Sequence, residues 1–386
     1  MRRSFTVLIA AAACTVWAAG SASAASTWAI QATPNPGSAT GPALLGVSCP
    51  SANSCFAVGT DTNSNLNDQV TQMLAEHWNG SSWAIQATPA PSGSQGAQLS
   101  AVACPSATSC IAVGQNTKSA SGGVDVDEAT AEHWNGSTWT FQTLPSPSRA
   151  LNVGLNGVSC TSATNCTAVG DLETSGGVEQ PLAEHWNGSS WAIQAAPVPS
   201  GAAESELDAV SCTSASNCMA VGSLTGTTTY IAGIAEHWNG KTWTVENVIN
   251  PNGANPSGDT ADELDDVSCV SAMSCTAVGF NNVGDKALAE HWNGSSWTIQ
   301  STPSITNGPE FDAISCVSAT SCTAVGDSAS ATSTLAEQWN GSSWSVQSTP
   351  NVTGAATNLF DAIACVSATS CTAVGNTDNT TLAERS

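Results

Sequence analysis

Basic residues are scarce in this chain of 386 residues: seven Lys and Arg stand against 30 Asp and Glu, a formal net charge of −23. So acidic a surface repels phosphate backbones and anionic lipid headgroups, which argues against nucleic-acid and membrane-surface partners. Aromatic residues other than Trp are also few, with one Tyr and six Phe. Tryptophan must therefore supply much of the aromatic packing. No segment shows the 3.6-residue period of an amphipathic helix, and beyond the N-terminal leader no run is apolar enough to cross a bilayer as a helix.

The first 24 residues have a different character. Arg2 and Arg3 lead the apolar run "FTVLIAAAACTVWAAG", and "SASA" follows with Ala22 and Ala24 at the small-residue positions of a signal-peptidase site. The expectation is a signal peptide over residues 1–24, a secreted mature chain from residue 25 to 386, and no retained membrane anchor. Cys14 behind "AAA" raises a lipoprotein alternative, but the apolar run continues past it to a better cleavage site. Without the leader 14 of the 15 cysteines remain, an even number in an exported chain, which reads as a disulfide framework.

Those cysteines form seven pairs with five residues between partners: Cys49/Cys55, Cys104/Cys110, Cys160/Cys166, Cys212/Cys218, Cys269/Cys275, Cys316/Cys322 and Cys365/Cys371. Each pair opens a unit of the form L-x-x-V-S-C-x-S-A-x-S-C-x-A-V-G … L-A-E-H-W-N-G-S-S-W-x-I-Q-x-T-P, recurring every 47 to 57 residues. Such a period marks a repeat architecture. Within a unit, "LSAVAC" and "CIAVG" flank a small-residue turn, and "TAEHW" and "WTFQT" flank "NGST", where Asn-Gly is a strong hairpin signal. Proline after the fourth run ends it. Four antiparallel strands in each of seven units predict an all-β, seven-bladed β-propeller with one disulfide per blade, ahead of a β-solenoid, whose coils are usually shorter.

The two ends of the chain fit together. "LAERS" (Leu382–Ser386) followed by "ASTWAIQ" (Ala25–Gln31) restores a full motif lacking only the Asn of the Asn-Gly turn. The N-terminal strand is therefore expected to close the ring as the outermost strand of the seventh blade, leaving no open sheet edge to the stack. Leu382–Arg385 should pair antiparallel with Trp28–Gln31, with Ser386 near Ala25.

Several repeated residues invite chemical readings. The paired cysteines are spaced too widely for usual zinc motifs, with no histidine beside them, so structural disulfides are the reading. The tryptophans of the repeats come as six pairs such as Trp78/Trp83, plus Trp28. Their sharper reading is a ring of sugar-stacking platforms, most plausible at the Trp78-type positions beside the turn; the plainer one is packing between blades. Glu76 recurs in every unit (Glu132, Glu184, Glu236, Glu290, Glu337, Glu384), and His77 in five (His133, His185, His237, His291). Each Glu-His stands alone on its own blade, so a structural role such as a carboxylate-to-indole hydrogen bond is expected in place of catalysis or metal binding. The sequons at Asn79, Asn135, Asn187, Asn293 and Asn340 coincide with the turn residues and so carry no separate message about glycosylation.

At "LSAVACPSATSCIAVG … AEHWNGSTW" the unit resembles the repeats of BNR/Asp-box-type propellers, particularly those of photosystem II assembly factors and related exported bacterial repeat proteins. The resemblance covers all seven units and implies the propeller fold. Only the Gly-x-Ser/Thr-Trp end of the box is matched, as Gly80–Trp83 and Gly136–Trp139, with Trp78 and Trp134 where the box has Asp. A sialidase is similar in fold too, but its arginine cluster and tyrosine nucleophile cannot be assembled here. After the leader only Arg149, Arg385 and the single Tyr230 remain.

The turns after the first and third strands are almost invariant, whereas those after the second and fourth carry the variation. From the Gly of "AVG" to the Ala of "LAE" the intervening residues number 15, 16, 12, 12, 9, 9 and 7 along the chain. Variable loops on one face are where repeat proteins usually bind. Just before the first strand, the last four units carry Asp208, Asp265, Asp312 and Asp361 where the first three have Leu45, Ser100 and Asn156. First strands of a propeller line its channel, so these predict an acidic arc at the channel mouth, with Asp259, Asp262, Glu263 and Asp266 added by "SGDTADELDD". The arc is a binding site for a cation or a cationic group, or else a solvated acidic rim. No cofactor is indicated; calcium is conceivable, although no EF-hand-like ligand spacing occurs. The expectation is a monomeric binding module for an extracellular protein or glycan. The alternatives are a carbohydrate-active enzyme using two carboxylates of the arc, and a multivalent lectin at the Trp78-type positions.

Overall fold

A computed structural model describes residues 27–36, 41–63, 70–119, 124–148, 150–226, 231–251, 261–282, 286–306, 308–328 and 331–386. The proposed leader, Ala25, Arg149, Tyr230 and Asp259 lie outside these residues. Seven four-stranded antiparallel sheets form the blades of a β-propeller. Blade 1 is built from Ala43–Ser51, Ser54–Asn63, Val70–Trp78 and Trp83–Ile85, and the later blades repeat that order. Among the described residues no helix is long and apolar enough to cross a membrane.

The seam predicted from the chain ends is present. Blade 7 consists of Asn358–Ser367, Ser370–Thr377 and Thr381–Arg385, with Ala29–Gln31 as its outer strand. The register pairs Ala29 with Arg385, Ile30 with Glu384 and Gln31 with Ala383. Beyond the strand the chain is latched as well: Thr33 Oγ1 donates to the Thr381 carbonyl at 3.0 Å, and Asn35 Oδ1 accepts from the Thr381 N–H at 2.9 Å.

Seven disulfides join the predicted partners, each bridging the first two strands of its blade. The two cysteines of each pair are unequally buried. The second partners, Cys55, Cys110, Cys166, Cys218, Cys275, Cys322 and Cys371, are buried core residues, at most 2% exposed. The first partners are only half-buried. The difference follows from position. Each second cysteine lies on a middle strand; in six blades it is paired on its far side with a tryptophan of the third strand, as Cys166 is with Trp186, and in blade 7 the Cys371 carbonyl accepts from the Ser386 N–H. Its side chain packs on the preceding blade: Cys110 joins Phe56 and Val58, and Cys218 joins Val169 and Ala183. These seven residues therefore belong to the packing and not to any accessible site.

Around each bridge, one apolar cluster spans a blade boundary. That between blades 2 and 3 joins Ile111, Val113 and Ala131 to Leu155, Leu182 and Trp191; the one closing the ring joins Val374 and Ala383 to Leu44, Leu74, Trp78 and Trp83. Near the axis the blades are also stitched by hydrogen bonds. The serine of "VSC" in one blade accepts from the first-cysteine N–H of the next, at 2.9–3.0 Å, in Ser48–Cys104, Ser159–Cys212, Ser211–Cys269, Ser268–Cys316 and Ser315–Cys365. Ala103 and Ala364 replace that serine in blades 2 and 7.

Each first strand carries a β-bulge at one position: Leu45, Ser100, Asn156, Asp208, Asp265, Asp312 and Asp361 fall between the paired neighbours. The bulge drives the carbonyl of the residue two before it against the glycine of "AVG" on the second strand. A Cβ on Gly59, Gly222 or Gly326 would overlap the Ala43, Glu206 or Glu310 carbonyl, so that glycine is obligatory.

Candidate functional site

The bulge turns its extra residue toward the axis, and all seven bulge residues line one central cavity of about 250 Å³. Asp208, Asp265, Asp312 and Asp361, on four consecutive blades, face it together with Ser100 and Asn156. The four principal aspartates of the expected arc each lie four positions before the first cysteine of their blade. Asp262 does not join them. It is 1% exposed, and its odd offset from Asp265 sets it on the opposite face of the strand, where its charge acts on Glu290. Asp266 is a tie between blades: its carboxylate accepts from the N–H of Val267 and of Ile314 in the next blade, both at 2.7 Å.

Of a second tier the sequence reading named only Glu263. Glu206, Glu263 and Glu310 precede the bulge aspartates by two residues, as "ELD", "ELD" and "EFD". Their charges act on the arc: Glu206 and Glu263 on Asp208, Glu263 and Glu310 on Asp265, Glu310 on Asp312. The spacing of two, which keeps residues on one face of a strand, was the available signal. Ser223 Oγ donates to Glu206 at 3.3 Å. Asn156 Nδ2 donates to the Leu207 carbonyl at 3.2 Å across the boundary between blades 3 and 4.

Crowding and burial make these carboxyls hard to ionise. Burial first, then neighbouring carboxylates, pushes Asp312 up to about 8 and Asp361 to about 7. The same causes hold Asp208 and Asp265 well above the ordinary carboxylate range. One oxygen of Asp361 is buried without a hydrogen-bond partner. No Lys or Arg lines the cavity among the described residues, so nothing in the described chain neutralises the arc. Nor does any group of three His, Cys, Asp or Glu among the described residues come together closely enough to hold a metal ion.

Most of the repeated Trp, His and Glu residues are packed or hydrogen-bonded within the fold. Trp78, Trp134 and Trp292 are 5–7% exposed, whereas Trp186, Trp238 and Trp339 are half-buried; all of these indoles except that of Trp78 donate to the alanine carbonyl of the disulfide turn, as in Trp186 to Ala163 at 3.2 Å. Burial of this kind suits packing and leaves little ring for stacking at Trp78, Trp134 and Trp292. His185 and His237 bond the side chain before the second cysteine, Asn165 and Asn217, at 2.9 and 2.8 Å. The expected carboxylate-to-indole bond is not formed. Trp243 and Trp344 donate instead to Gln194 and Gln300 of the preceding blade, both at 3.0 Å.

No protein-family model and no curated protein matches this chain. Solved structures do. A Hadza microbial sialidase superposes with a TM-score of 0.50 at 12% identity, covering 89% of this chain and 65% of that one; this chain thus spans about two thirds of that enzyme's length. A protein of unknown function from Dyadobacter fermentans gives a TM-score of 0.53 at 9% identity over 93% of this chain and 96% of the other. The SapL1 lectin, solved with alpha methyl fucoside, gives 0.47 at 13% identity, too weak a likeness to carry an argument. At such identities the likeness extends to the propeller fold and no further.

Proposed function

We propose that this propeller is a secreted binding module that takes a cationic group of an extracellular ligand into its channel from the variable-loop face. The observation carrying this reading is the conversion of one bulge position into Asp on four consecutive blades, around a cavity that the described cations leave unneutralised. At about 250 Å³ the cavity is small beside typical ligand pockets. It suits the tip of an ammonium or guanidinium group, with the body of the ligand resting on the loops outside. Lacking a cluster of three metal-ligating groups among the described residues, it suits an organic cation better than a bare divalent one.

Binding of a cation requires ionised carboxylates, and carboxyls raised to about 7 and 8 are largely neutral below pH 7. Affinity should therefore rise with pH, with proton release on binding. The test is calorimetry with N-acetyl-lysine methylamide, N-acetyl-arginine methylamide, spermidine and calcium chloride at pH 5.5 and 8.5. The expected result is one organic cation per chain, bound at least tenfold tighter at pH 8.5, and lost in the double variant Asp265→Asn/Asp312→Asn while its Tm is maintained. Binding unaffected by that variant, or a preference for calcium, would sink the reading.

A second reading has one observation in its favour. Phe141 (41% exposed), Gln142, Trp186, Ser189 and Ser190 line an outer groove of about 450 Å³ between blades 2 and 3. Aromatic rings beside hydroxyls and an amide suit a neutral sugar. A glycan array that selects neutral glycans, with binding abolished by Phe141→Ala and untouched by the channel variant, would favour this groove over the channel.

A further inference from the structure

The least solvent-exposed acids among the described residues are not in the channel. Glu76, Glu132, Glu184, Glu236, Glu290, Glu337 and Glu384, one per blade, are each 0% exposed. Alternation along the third strand places each on the face that carries Leu74 and Trp78 or their equivalents, the face packed on the preceding blade. Six of the seven have no hydrogen-bond partner for either carboxyl oxygen. The exception is Glu290, whose Oε2 accepts from the Ile249 N–H at 3.0 Å.

The sequence explains this exception. Ile249 lies in the linker entering blade 5, three residues after Glu246, which ends the outer strand of blade 4. The equivalent residue in the other six linkers is Pro34, Pro89, Pro145, Pro197, Pro303 or Pro350. Proline has no N–H to give, so the donor that serves Glu290 is withheld from the other six. Nor does a charge compensate. Burial alone acts on Glu132, Glu184, Glu236, Glu337 and Glu384. Glu76 faces the Thr381 hydroxyl of blade 7, which eases its burial without reaching hydrogen-bond geometry, and Glu290 faces Asp262. The histidines or their replacements at the next position alternate to the opposite face of the strand.

We infer that these seven glutamates are held as neutral carboxylic acids and together form a proton-dependent lock on the blade-to-blade packing. An ionised carboxylate in such a site would have neither partner nor solvent, whereas the neutral acid is accommodated between apolar side chains. In agreement, burial pushes Glu76, Glu132, Glu184, Glu236 and Glu384 up to about 8 and Glu337 to about 7. Glu290, with its backbone donor, stands at about 7. The folded chain thus keeps protons that the unfolded chain releases near the ordinary value of 4.5. The stabilisation is complete below pH 4.5, declines as pH rises, and is lost through pH 7–8.

The test uses the whole chain with glutamate carboxyls labelled with carbon-13, followed by infrared titration from pH 5 to 9.5 and thermal unfolding at each pH. The expected result is a protonated-glutamate band at pH 6 that disappears between pH 7 and 9, with Tm falling over the same range. The triple variant Glu132→Gln/Glu184→Gln/Glu236→Gln should shrink the band, match the parent Tm at pH 5 and exceed it at pH 9. No protonated-glutamate band at pH 6 would overturn the lock, as would a triple variant whose Tm falls with pH as steeply as the parent's. Should the triple variant fail to fold, the infrared titration of the parent and single Glu184→Gln decides.

Discussion

Arg385 and Gln338 stand where five blades carry histidine, and both reach across a boundary that His77, His133, His185 and His237 do not bridge. The Gln338 amide donates to the Ala368 carbonyl of blade 7 at 3.1 Å. The Arg385 guanidinium donates to the Ala52 carbonyl of blade 1 at 2.6 Å and lies 4.7 Å from the centre of the Trp78 ring. That boundary lacks the serine stitch, because Ala364 occupies its place. One substitution thus answers another. Replacing Arg385 by Ala removes a charge-assisted hydrogen bond and a partly exposed cation–π contact, for an expected loss of about 1–2 kcal/mol in urea unfolding. No measurable loss would mean that the apolar cluster alone holds the boundary.

The disulfide hairpin is the unit whose contribution is most readily measured. Each bridge closes a loop of about seven residues, which in the chain-entropy model is worth about 2–2.5 kcal/mol. The double variant Cys160→Ala/Cys166→Ala should lose that amount in denaturant unfolding while the other six bridges stay intact. The hairpins themselves were legible in the sequence because cysteine spacing, alternation and Asn-Gly turns each act locally. The same frame places the four arc aspartates, since a constant offset from a cysteine is a constant place on a strand. Asp262 was misplaced for want of parity: three residues from Asp265, it must face the other way. The unequal burial of the two cysteines was not legible, because the neighbouring blade decides it. Nor was the bulge that aims the arc, which rests on the hydrogen-bond phase between two strands. Its only trace is the glycine of "AVG". The partner of Trp243 was illegible too, since its indole looks across a blade boundary at Gln194, 49 positions away in the chain.

Over the whole molecule, closure depends on three residue pairs joining Ala29–Gln31 to Ala383–Arg385 and on Trp28 packed against Phe360 with ring centroids 6.1 Å apart. A chain beginning at Ala32 would lose that strand and uncover Phe360, Leu382 and the fully buried Ala383. The expected outcome is a lower Tm, a broadened transition and binding of a hydrophobic dye; a Tm equal to that of the chain beginning at Ala25 would show that closure contributes no stability. The seam also has a mechanical consequence. Its two strands run antiparallel, so the start of one lies beside the end of the other, Ala29 against Arg385. Tension applied at the two termini would reach the backbone pairs one after another and peel the strand away like a zip. Force pressing on the faces of the disc would be shared by all seven packed boundaries at once. The ring is built to bear compression and to open under a pull at its ends.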